Sequence, residues 1–234
     1  MHLNPLVPDG ATLQVGIGSV PDAAVSLLMD KRDLGIHTEV LNEGLIGLVR
    51  AGVASGARKS LHRGKAVCTI CAMSNKIYEF VHNNPDVLSL SSAEALEPRA
   101  IAQNPLVRCI NSAYQVDLLG QVNAETIGGF QVAGVGGQLD FFRGASLTDD
   151  ALSIIVLDST TSDGKTSRIV PHFGAGTVVT STRYDVDYVV TENGAARLRG
   201  ATTRERARGL IEIAAPVFRD ELEAAGRELG LTVS

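Results

Sequence analysis

The chain has 234 residues, of which 44% are hydrophobic and 20% are charged, and this balance excludes a mainly disordered chain and allows a sizeable buried core. Its formal net charge of -5 provides no basic surface for phosphate backbones, so we expect no nucleic-acid partner. No apolar run approaches the length of a transmembrane helix and no signal peptide is visible at the N-terminus, so we expect no membrane partner and a cytoplasmic location.

Strand-like and helix-like segments alternate through the first half of the chain. A short apolar segment at residues 11–15 runs into Gly16-Ile17-Gly18, and helical periodicity follows at 21–30 with Pro21 near the first turn. Further strands are predicted at 36–40, 66–72, 87–91 and 107–111, and further helices at 43–52, 75–82 and near 98–102. This alternation is typical of βαβ units, which build a parallel sheet with right-handed crossovers.

Glycines punctuate the chain after residue 111, and the predicted elements become shorter. We predict strands at 152–157, 167–170, 177–180 and 188–191, and two closing helices at 203–214 and 217–229. Thr202 or Thr203 is a suitable N-cap for the first of these helices. Because we find neither a linker nor an internal repeat, we predict one α/β domain over residues 1–234, with an open, mostly parallel or mixed sheet and helices on both faces.

Three cysteines, Cys68, Cys71 and Cys109, lie in apolar stretches, and an odd number in such stretches favours a reducing compartment. Cys68 and Cys71 have the spacing of a redox or zinc pair. Residues 66–72 have the pattern of a strand, however, and residues i and i+3 of a strand face opposite sides. We therefore predict buried structural thiols whose sulfurs do not converge, and no metal site.

Three segments carry residues suited to chemistry. The turn from Gly16 to Val20 joins a strand to a helix N-terminus, where backbone N–H groups and the helix dipole favour an anion. Glu39 lies at or just beyond the end of a predicted strand, on the edge where open α/β sheets bind ligands, and Glu43 is a rival carboxylate with the simpler role of a first-turn acid. The run Gly134-Val135-Gly136-Gly137 forms a glycine-rich nest that suits an anion. Each segment by itself also fits a purely structural role, as a turn, a solvated acid or a flexible loop.

In this order and spacing the segments resemble the acetyl-CoA hydrolase/transferase family, the family I CoA-transferases that include 4-hydroxybutyrate and succinate:acetate CoA-transferases. The family pattern can be followed along nearly the whole chain, at residues 9–21, 36–39, 111–125, 134–145, 167–171 and 189–200. The sequence departs from the pattern at several positions that concern CoA contacts and substrate choice, among them Glu43, Asn193, Arg197 and Ala215.

The resemblance implies a fold and a mechanism. The fold is half of a CoA-transferase, of the NagB-RpiA-like type, and the reaction moves coenzyme A between a short acyl-CoA and a small carboxylate without a permanently bound cofactor. Glu39 matches the nucleophile, which forms an acyl-glutamyl anhydride and then a glutamyl-CoA thioester. The family's CoA-binding segment matches Gly16, Ile17, Gly18, Ser19 and Val20, and its oxyanion-side glycine matches Gly136 or Gly137.

Family members usually contain two similar α/β halves, and this chain resembles the second half, which carries the nucleophile. The resemblance therefore implies a partner, either a separately encoded first half or another copy of the chain. Three other functions stay open at this point: hydrolysis of acyl-CoA, a catalytically silent subunit, and a phosphosugar isomerase of similar architecture. The isomerase is disfavoured because we find neither basic phosphate ligands nor a base-bearing motif. The sequence does not select the acyl chain or the acceptor acid.

Overall fold

A computed structural model describes residues 2–72 and 74–231. The chain forms two compact units. The N-terminal unit comprises Leu3–Asn111 and Asp140–Ser153, and the C-terminal unit comprises His2 with residues 112–139 and 154–231. A single domain over residues 1–234 stays a prediction.

The elements alternate along the chain as the sequence predicts for an α/β protein. In chain order they are β1 (Thr12–Val15), α1 (Ser19–Ser26), β2 (Gly35–His37), α2 (Glu43–Arg50), β3 (Ala66–Cys68), α3 (Asn75–Val81), β4 (Val87–Ser89), α4 (Ser92–Ala95), α5 (Pro98–Ile101), β5 (Arg108–Ser112), β6 (Gln115–Asp117), β7 (Val122–Asn123), β8 (Thr126–Ile127), β9 (Phe130–Gln131), α6 (Gln138–Ser146), β10 (Leu152–Val156), β11 (Ile169–Val170), β12 (Tyr188–Thr191), β13 (Gly194–Arg197), α7 (Thr203–Ile213) and α8 (Arg219–Glu228). Among the described residues, no helix has the length and apolar character that crossing a membrane requires.

The N-terminal unit is built on five parallel strands in the order β5-β1-β2-β3-β4. Every residue of β1, β2 and β3 is buried, as expected for a parallel sheet that helices cover. Apolar side chains of α1, α2 and α6 complete the core, in which Phe141 and Phe142 are almost fully buried. Gly144 lets α6 pack closely, because a Cβ at this position would lie 2.8 Å from the Ile101 side chain.

The C-terminal unit contains parallel and antiparallel pairs. Strands β10 and β12 are parallel, β12 and β13 are antiparallel, β6 pairs in parallel with β11 and antiparallel with β7, and β8 and β9 form a hairpin. Helix α7 begins at a capping box, in which Thr202 Oγ1 accepts from the N–H of Glu205 and the Glu205 carboxylate accepts from the N–H of Thr202. Of the two candidate caps, Thr202 is therefore the cap of α7.

The predicted fold class, α/β with mostly parallel and mixed sheets, is confirmed.

Some element predictions are wrong. Residues 177–180 form no strand, because the N–H groups of Thr180 and Ser181 both donate to the carbonyl of Val122 and an isolated bridge between Ser181 and Val122 stands in place of a ladder. The strand predicted at 66–72 ends at Cys68, and the helix predicted at 21–30 is α1, which begins earlier and ends at Ser26. Strand β13, in contrast, lacks β-forming residues and is held by its antiparallel pairing with β12.

Candidate active site

The glycine turn (Gly16–Val20) follows β1 as predicted. Gly16 extends the pairing with β5, since its N–H donates to the carbonyl of Ile110 at 2.8 Å. A Cβ on Gly16 would lie 2.7 Å from Oδ1 of Asn111, so a larger residue displaces that amide. Gly18 has a φ of +124°, which lies in the range that glycine adopts far more easily than other residues.

The beginning of α1 is exposed and has no capping side chain. The N-cap residue is Gly18, which has no side chain to accept a capping hydrogen bond. Three residues of the turn are exposed, namely Ile17, Gly18 and Ser19, and Val20 is half-buried. The first N–H groups of a helix have no partner within the helix. The glycine turn therefore presents backbone donors and the positive end of a helix dipole, which suits an anionic or carbonyl ligand.

Glu39 follows the carboxyl end of β2 and is half-buried. The preceding residue, Thr38, bonds to β1, because its hydroxyl donates to the carbonyl of Val15 at 3.2 Å. On the other side, the carbonyl of Glu39 accepts from the N–H groups of Thr69 at 2.9 Å and Ile70 at 2.8 Å. Because β1 and β2 are parallel neighbours, Glu39 and the glycine turn lie at the same edge of the sheet, the edge where α/β proteins bind ligands.

A β-bulge beside Glu39 overturns the prediction for the two neighbouring cysteines. The N–H groups of Thr69 and Ile70 both donate to the carbonyl of Glu39, so two residues of the segment after β3 oppose one residue of the segment after β2. The extra residue shifts the alternation of side chains by one position. Cys68 and Cys71 therefore lie on the same side, with their Sγ atoms 3.3 Å apart, and the prediction that these sulfurs do not converge is wrong.

His37 is buried beneath this edge and has partners of its own. Its Nε2 donates to the carbonyl of Ala95 at 2.7 Å, its Nδ1 lies 3.2 Å from the amide nitrogen of Asn104, and the Phe141 ring packs against it edge-on. Burial lowers the pKa of His37 to about 4, so the ring is neutral near pH 7. Both ring nitrogens are therefore engaged with structural groups, which favours a structural role for His37.

A reciprocal amide pair fixes the carboxyl ends of β1 and β5. The Gln14 amide donates to Oδ1 of Asn111 at 3.0 Å, and the Asn111 amide donates to Oε1 of Gln14 at 2.8 Å. Both side chains are buried, so each amide depends on the other for these bonds. Asn111 thus supports the wall of the glycine turn.

Glu43, the rival carboxylate, lies at the first position of α2. It is exposed, and its Oε2 lies 3.3 Å from Nζ of Lys76. The cap of the helix is Asn42, whose Oδ1 accepts from the N–H of Leu45 at 2.9 Å and whose amide donates to Asp22 at 3.0 Å. Glu43 therefore has the setting of a first-turn helix acid with a surface ion pair.

The glycine-rich nest belongs to the C-terminal unit and leads into α6. Gly134 and Gly136 are exposed, Gly137 is buried, and Gly136 has a φ of +54°. The first residue of α6, Gln138, is held by a 2.9 Å hydrogen bond from its amide to the hydroxyl of Ser181. Exposed glycines before a fixed helix start are the kind of segment in which anion-binding nests form.

Within the N-terminal unit, Glu39 and the glycine turn follow the carboxyl ends of the neighbouring parallel strands β2 and β1. Sequence reasoning missed the bulge at Thr69 and Ile70, and no residue type in this stretch signals it. It also missed that the Thr69 hydroxyl is buried without a hydrogen-bond partner among residues 2–72 and 74–231. Across these same ranges, no cluster of three or more His, Cys, Asp or Glu side chains could hold a metal ion.

Comparison with known proteins identifies a family and several relatives that the chain matches. Residues 74–226 match the acetyl-CoA hydrolase/transferase C-terminal domain, a region that begins after Glu39 and the glycine turn. The chain is 50% identical over 217 residues to a 4-hydroxybutyrate coenzyme A transferase of Clostridium kluyveri, which covers 93% of this chain and 51% of that protein. It is 42% identical over 228 residues to a succinyl-CoA:cyclohexane-1-carboxylate CoA transferase of Geobacter metallireducens, with coverage of 97% and 52%.

A solved structure shows the same fold. The crystal structure of RipA from Yersinia pestis matches with a TM-score of 0.92 and 44% identity, over 97% of this chain and 51% of that chain. The chain thus spans about half the length of the relatives that it matches.

Proposed function

The chain belongs to the acetyl-CoA hydrolase/transferase family, and from this premise we propose that it transfers coenzyme A between a short acyl-CoA and a small carboxylic acid, with Glu39 as the nucleophile. The observation that carries the proposal is the way in which Glu39 is held. Its segment is bonded to β1 through Thr38 and to the bulge after β3 through its own carbonyl. A backbone fixed from two sides holds the Cα of a nucleophile in place, so less of the chain has to be ordered for the attack.

The reaction then runs through two covalent intermediates. The Glu39 carboxylate attacks the carbonyl carbon of the acyl thioester, CoA thiolate leaves, and an acyl-glutamyl anhydride remains. CoA thiolate attacks the glutamyl carbonyl of the anhydride, which releases the first carboxylate and leaves a glutamyl-CoA thioester. The acceptor carboxylate attacks this thioester to form a second anhydride, and CoA thiolate attacks its acyl carbonyl, which yields the new acyl-CoA and free Glu39.

Two glycine segments serve this chemistry in the proposal. The glycine turn, with Gly16, Ile17, Gly18, Ser19 and Val20, binds coenzyme A through the exposed N–H groups at the start of α1. Gly136 or Gly137 donates a backbone N–H to the oxyanion that forms during each attack. The family resemblance supports both assignments, and one such donor lowers the barrier by about 3 kcal/mol.

The chain acts with a partner in this proposal, because it spans about half the length of its relatives. The partner is a first-half polypeptide or a second copy of the chain, and the substrates are an acyl-CoA and a small carboxylate with no resident cofactor. A cytoplasmic location fits these substrates, and an oligomer follows from the need for a partner.

Hydrolysis of acyl-CoA is the second candidate function, because the family name covers hydrolases as well as transferases. Water in place of the acceptor carboxylate would cleave the same anhydride or thioester. The difference lies in how far the closed site excludes water. Release of free CoA from acetyl-CoA, measured with and without succinate, separates the two: a transferase forms succinyl-CoA, and a hydrolase forms only acetate and CoA.

The test of the proposal is to trap the intermediate. The full chain, alone and with a first-half polypeptide supplied in trans, is incubated with acyl-CoA, reduced with borohydride and mapped by mass spectrometry. We expect a CoA-dependent modification at Glu39 that Glu39→Gln abolishes. Glu43→Gln is the matched control, since Glu43 is four residues away, exposed and paired with Lys76, and it should retain the modification.

A modification at Glu43, or the absence of any modification under both conditions, would contradict the assignment of Glu39. A modification that appears only with the supplied first half supports both the nucleophile and the need for a partner.

A further inference from the structure

Cys68 and Cys71 form a close pair of thiols that the proposed reaction does not use. Their Sγ atoms are 3.3 Å apart, whereas a disulfide bond is about 2 Å long. Cys68 is fully buried at the end of β3, and Cys71 is half-buried three residues later. The bulge between them brings both sulfurs to one side of the chain, so the two sulfurs have to approach each other by about 1 Å to bond.

We propose that Cys68 and Cys71 are a modification site, at which a small-molecule disulfide oxidises the two thiols to an intramolecular disulfide. The Cys71 thiolate attacks one sulfur of the external disulfide, forms a mixed disulfide and releases the first small thiolate. The Cys68 thiolate then attacks the Cys71 sulfur, forms the Cys68–Cys71 bond and releases the second small thiolate. Two protein thiols are oxidised, one external disulfide is reduced, and the two cysteine protons pass through solvent to the released thiolates.

Exposure sets the order of these two attacks. Cys71 is the thiol that an external reagent can reach, whereas Cys68 has no exposed surface. Burial and the neighbouring Cys71 also raise the pKa of the Cys68 thiol, so Cys68 reacts slowly with outside reagents, and its attack on Cys71, in which it loses its proton to solvent, is the slower of the two steps. Once Cys71 carries the mixed disulfide, its sulfur is a neutral target held beside Cys68, and an intramolecular attack has the advantage of proximity.

The disulfide acts on the backbone that holds Glu39. The two residues between the cysteines, Thr69 and Ile70, are the donors to the Glu39 carbonyl. Shortening the sulfur–sulfur distance by about 1 Å pulls on this bulge from both of its ends. We therefore expect weaker hydrogen bonds to Glu39 in the oxidised chain, and slower acyl transfer to Glu39 to the extent that the proposed function is correct.

The test treats the full chain with oxidised glutathione, alkylates the remaining thiols and maps the peptides by mass spectrometry. We expect the peptide that contains Cys68 and Cys71 to lose two hydrogen atoms and to retain no glutathione. Cys109 is an internal control, because it is buried and its thiol donates to the carbonyl of Phe141 at 3.4 Å. It should be alkylated only after unfolding.

Variants at the three cysteines define the route. Cys68→Ala should retain glutathione on Cys71 because no second thiol resolves it, and Cys68→Val keeps more of the core volume if the alanine variant does not fold. Cys71→Ser should react with glutathione at least about tenfold more slowly than the parent chain, since only buried thiols remain. Cys109→Ala should behave as the parent does. Glutathione retained on the parent chain, an equally reactive Cys71→Ser variant, or a parent chain that keeps both thiols would overturn the proposal.

Hydrogen exchange tests the link to Glu39 without any acyl-CoA. The amides of Thr69 and Ile70 should exchange faster after oxidation, and unchanged exchange would refute the link. Because the disulfide and amide measurements use the chain without substrate, their failure is distinguishable from a failure to label Glu39.

Discussion

Replacing Gly16 with alanine tests the most crowded contact at the glycine turn. The new Cβ would lie 2.7 Å from Oδ1 of Asn111 and 3.5 Å from its Cα. Gly16 is not among the glycines with a positive φ, so the strain comes from this contact alone. To relieve it, the Asn111 amide must move, and this breaks the two hydrogen bonds of 3.0 and 2.8 Å that it shares with Gln14.

The size of the effect follows from these two bonds. Each contributes about 0.5–1.5 kcal/mol net, and a buried amide left without its partner costs about 1–3 kcal/mol. The loss of flexibility in the unfolded chain opposes this by about 0.4–1 kcal/mol when glycine becomes alanine. We expect Gly16→Ala to lower the free energy of unfolding by about 2–3 kcal/mol.

The assay is urea unfolding followed by circular dichroism. Gly47→Ala is the matched control, because Gly47 lies within α2 and a Cβ there meets no heavy atom within 4 Å, so this change should stabilise the chain by about 0.5–1 kcal/mol. Adding Asn111→Ala to Gly16→Ala should cost less than the sum of the single changes, since it removes the clashing oxygen. A Gly16→Ala variant as stable as the parent, or strict additivity in the double variant, would show that the contact with Asn111 does not strain the turn.

Two further predictions concern stability. Burial lowers the pKa of His37 to about 4, against about 6.5 in an unfolded chain. The neutral, buried ring therefore contributes fully to stability above pH 6.5, and this contribution is lost as the pH falls through 4. Over this range the free energy of unfolding of the parent, measured in urea, should fall by at most about 3 kcal/mol, more steeply than that of His37→Gln. An equally steep decline in the variant would contradict this. Thr202→Ala removes the cap of α7 and should cost about 1 kcal/mol of unfolding free energy, whereas Thr203→Ala, one residue into the helix, should change it little; equal losses would argue against the cap.

The regular part of the fold could be predicted because its signals are local. Strand β12 lies at Tyr188–Thr191, the residues that the apolar run predicts, and Thr202 was one of two candidate caps. Strand β13 could not be predicted, since a Gly-Ala-Ala-Arg segment has no preference for a strand and depends on pairing with β12. The prediction of a strand at 177–180 was wrong for the opposite reason. The β-branched residues of this segment favour a strand, but the N–H groups of Thr180 and Ser181 both donate to the carbonyl of Val122.

In the candidate site, too, local signals predict some features, whereas features that depend on distant residues could not be predicted. The positions of Glu39 and the glycine turn could be predicted, because strand ends and helix starts can be read from the sequence. The bulge at Thr69 and Ile70 could not, since it depends on a hydrogen bond to Glu39, about thirty residues earlier in the chain. The partners of His37 could not be found either, because Ala95 lies in α4, a helix that the sequence did not reveal.

The most direct test of the central claim follows oxygen atoms through turnover. If Glu39 attacks and is then released from the second anhydride, one oxygen of the acceptor carboxylate stays on Glu39. With an acceptor labelled with oxygen-18, unlabelled acyl-CoA and, where required, a first-half polypeptide, we predict oxygen-18 in the peptide that contains Glu39 and none at Glu43. Turnover that forms the new acyl-CoA while leaving Glu39 unlabelled would contradict the account.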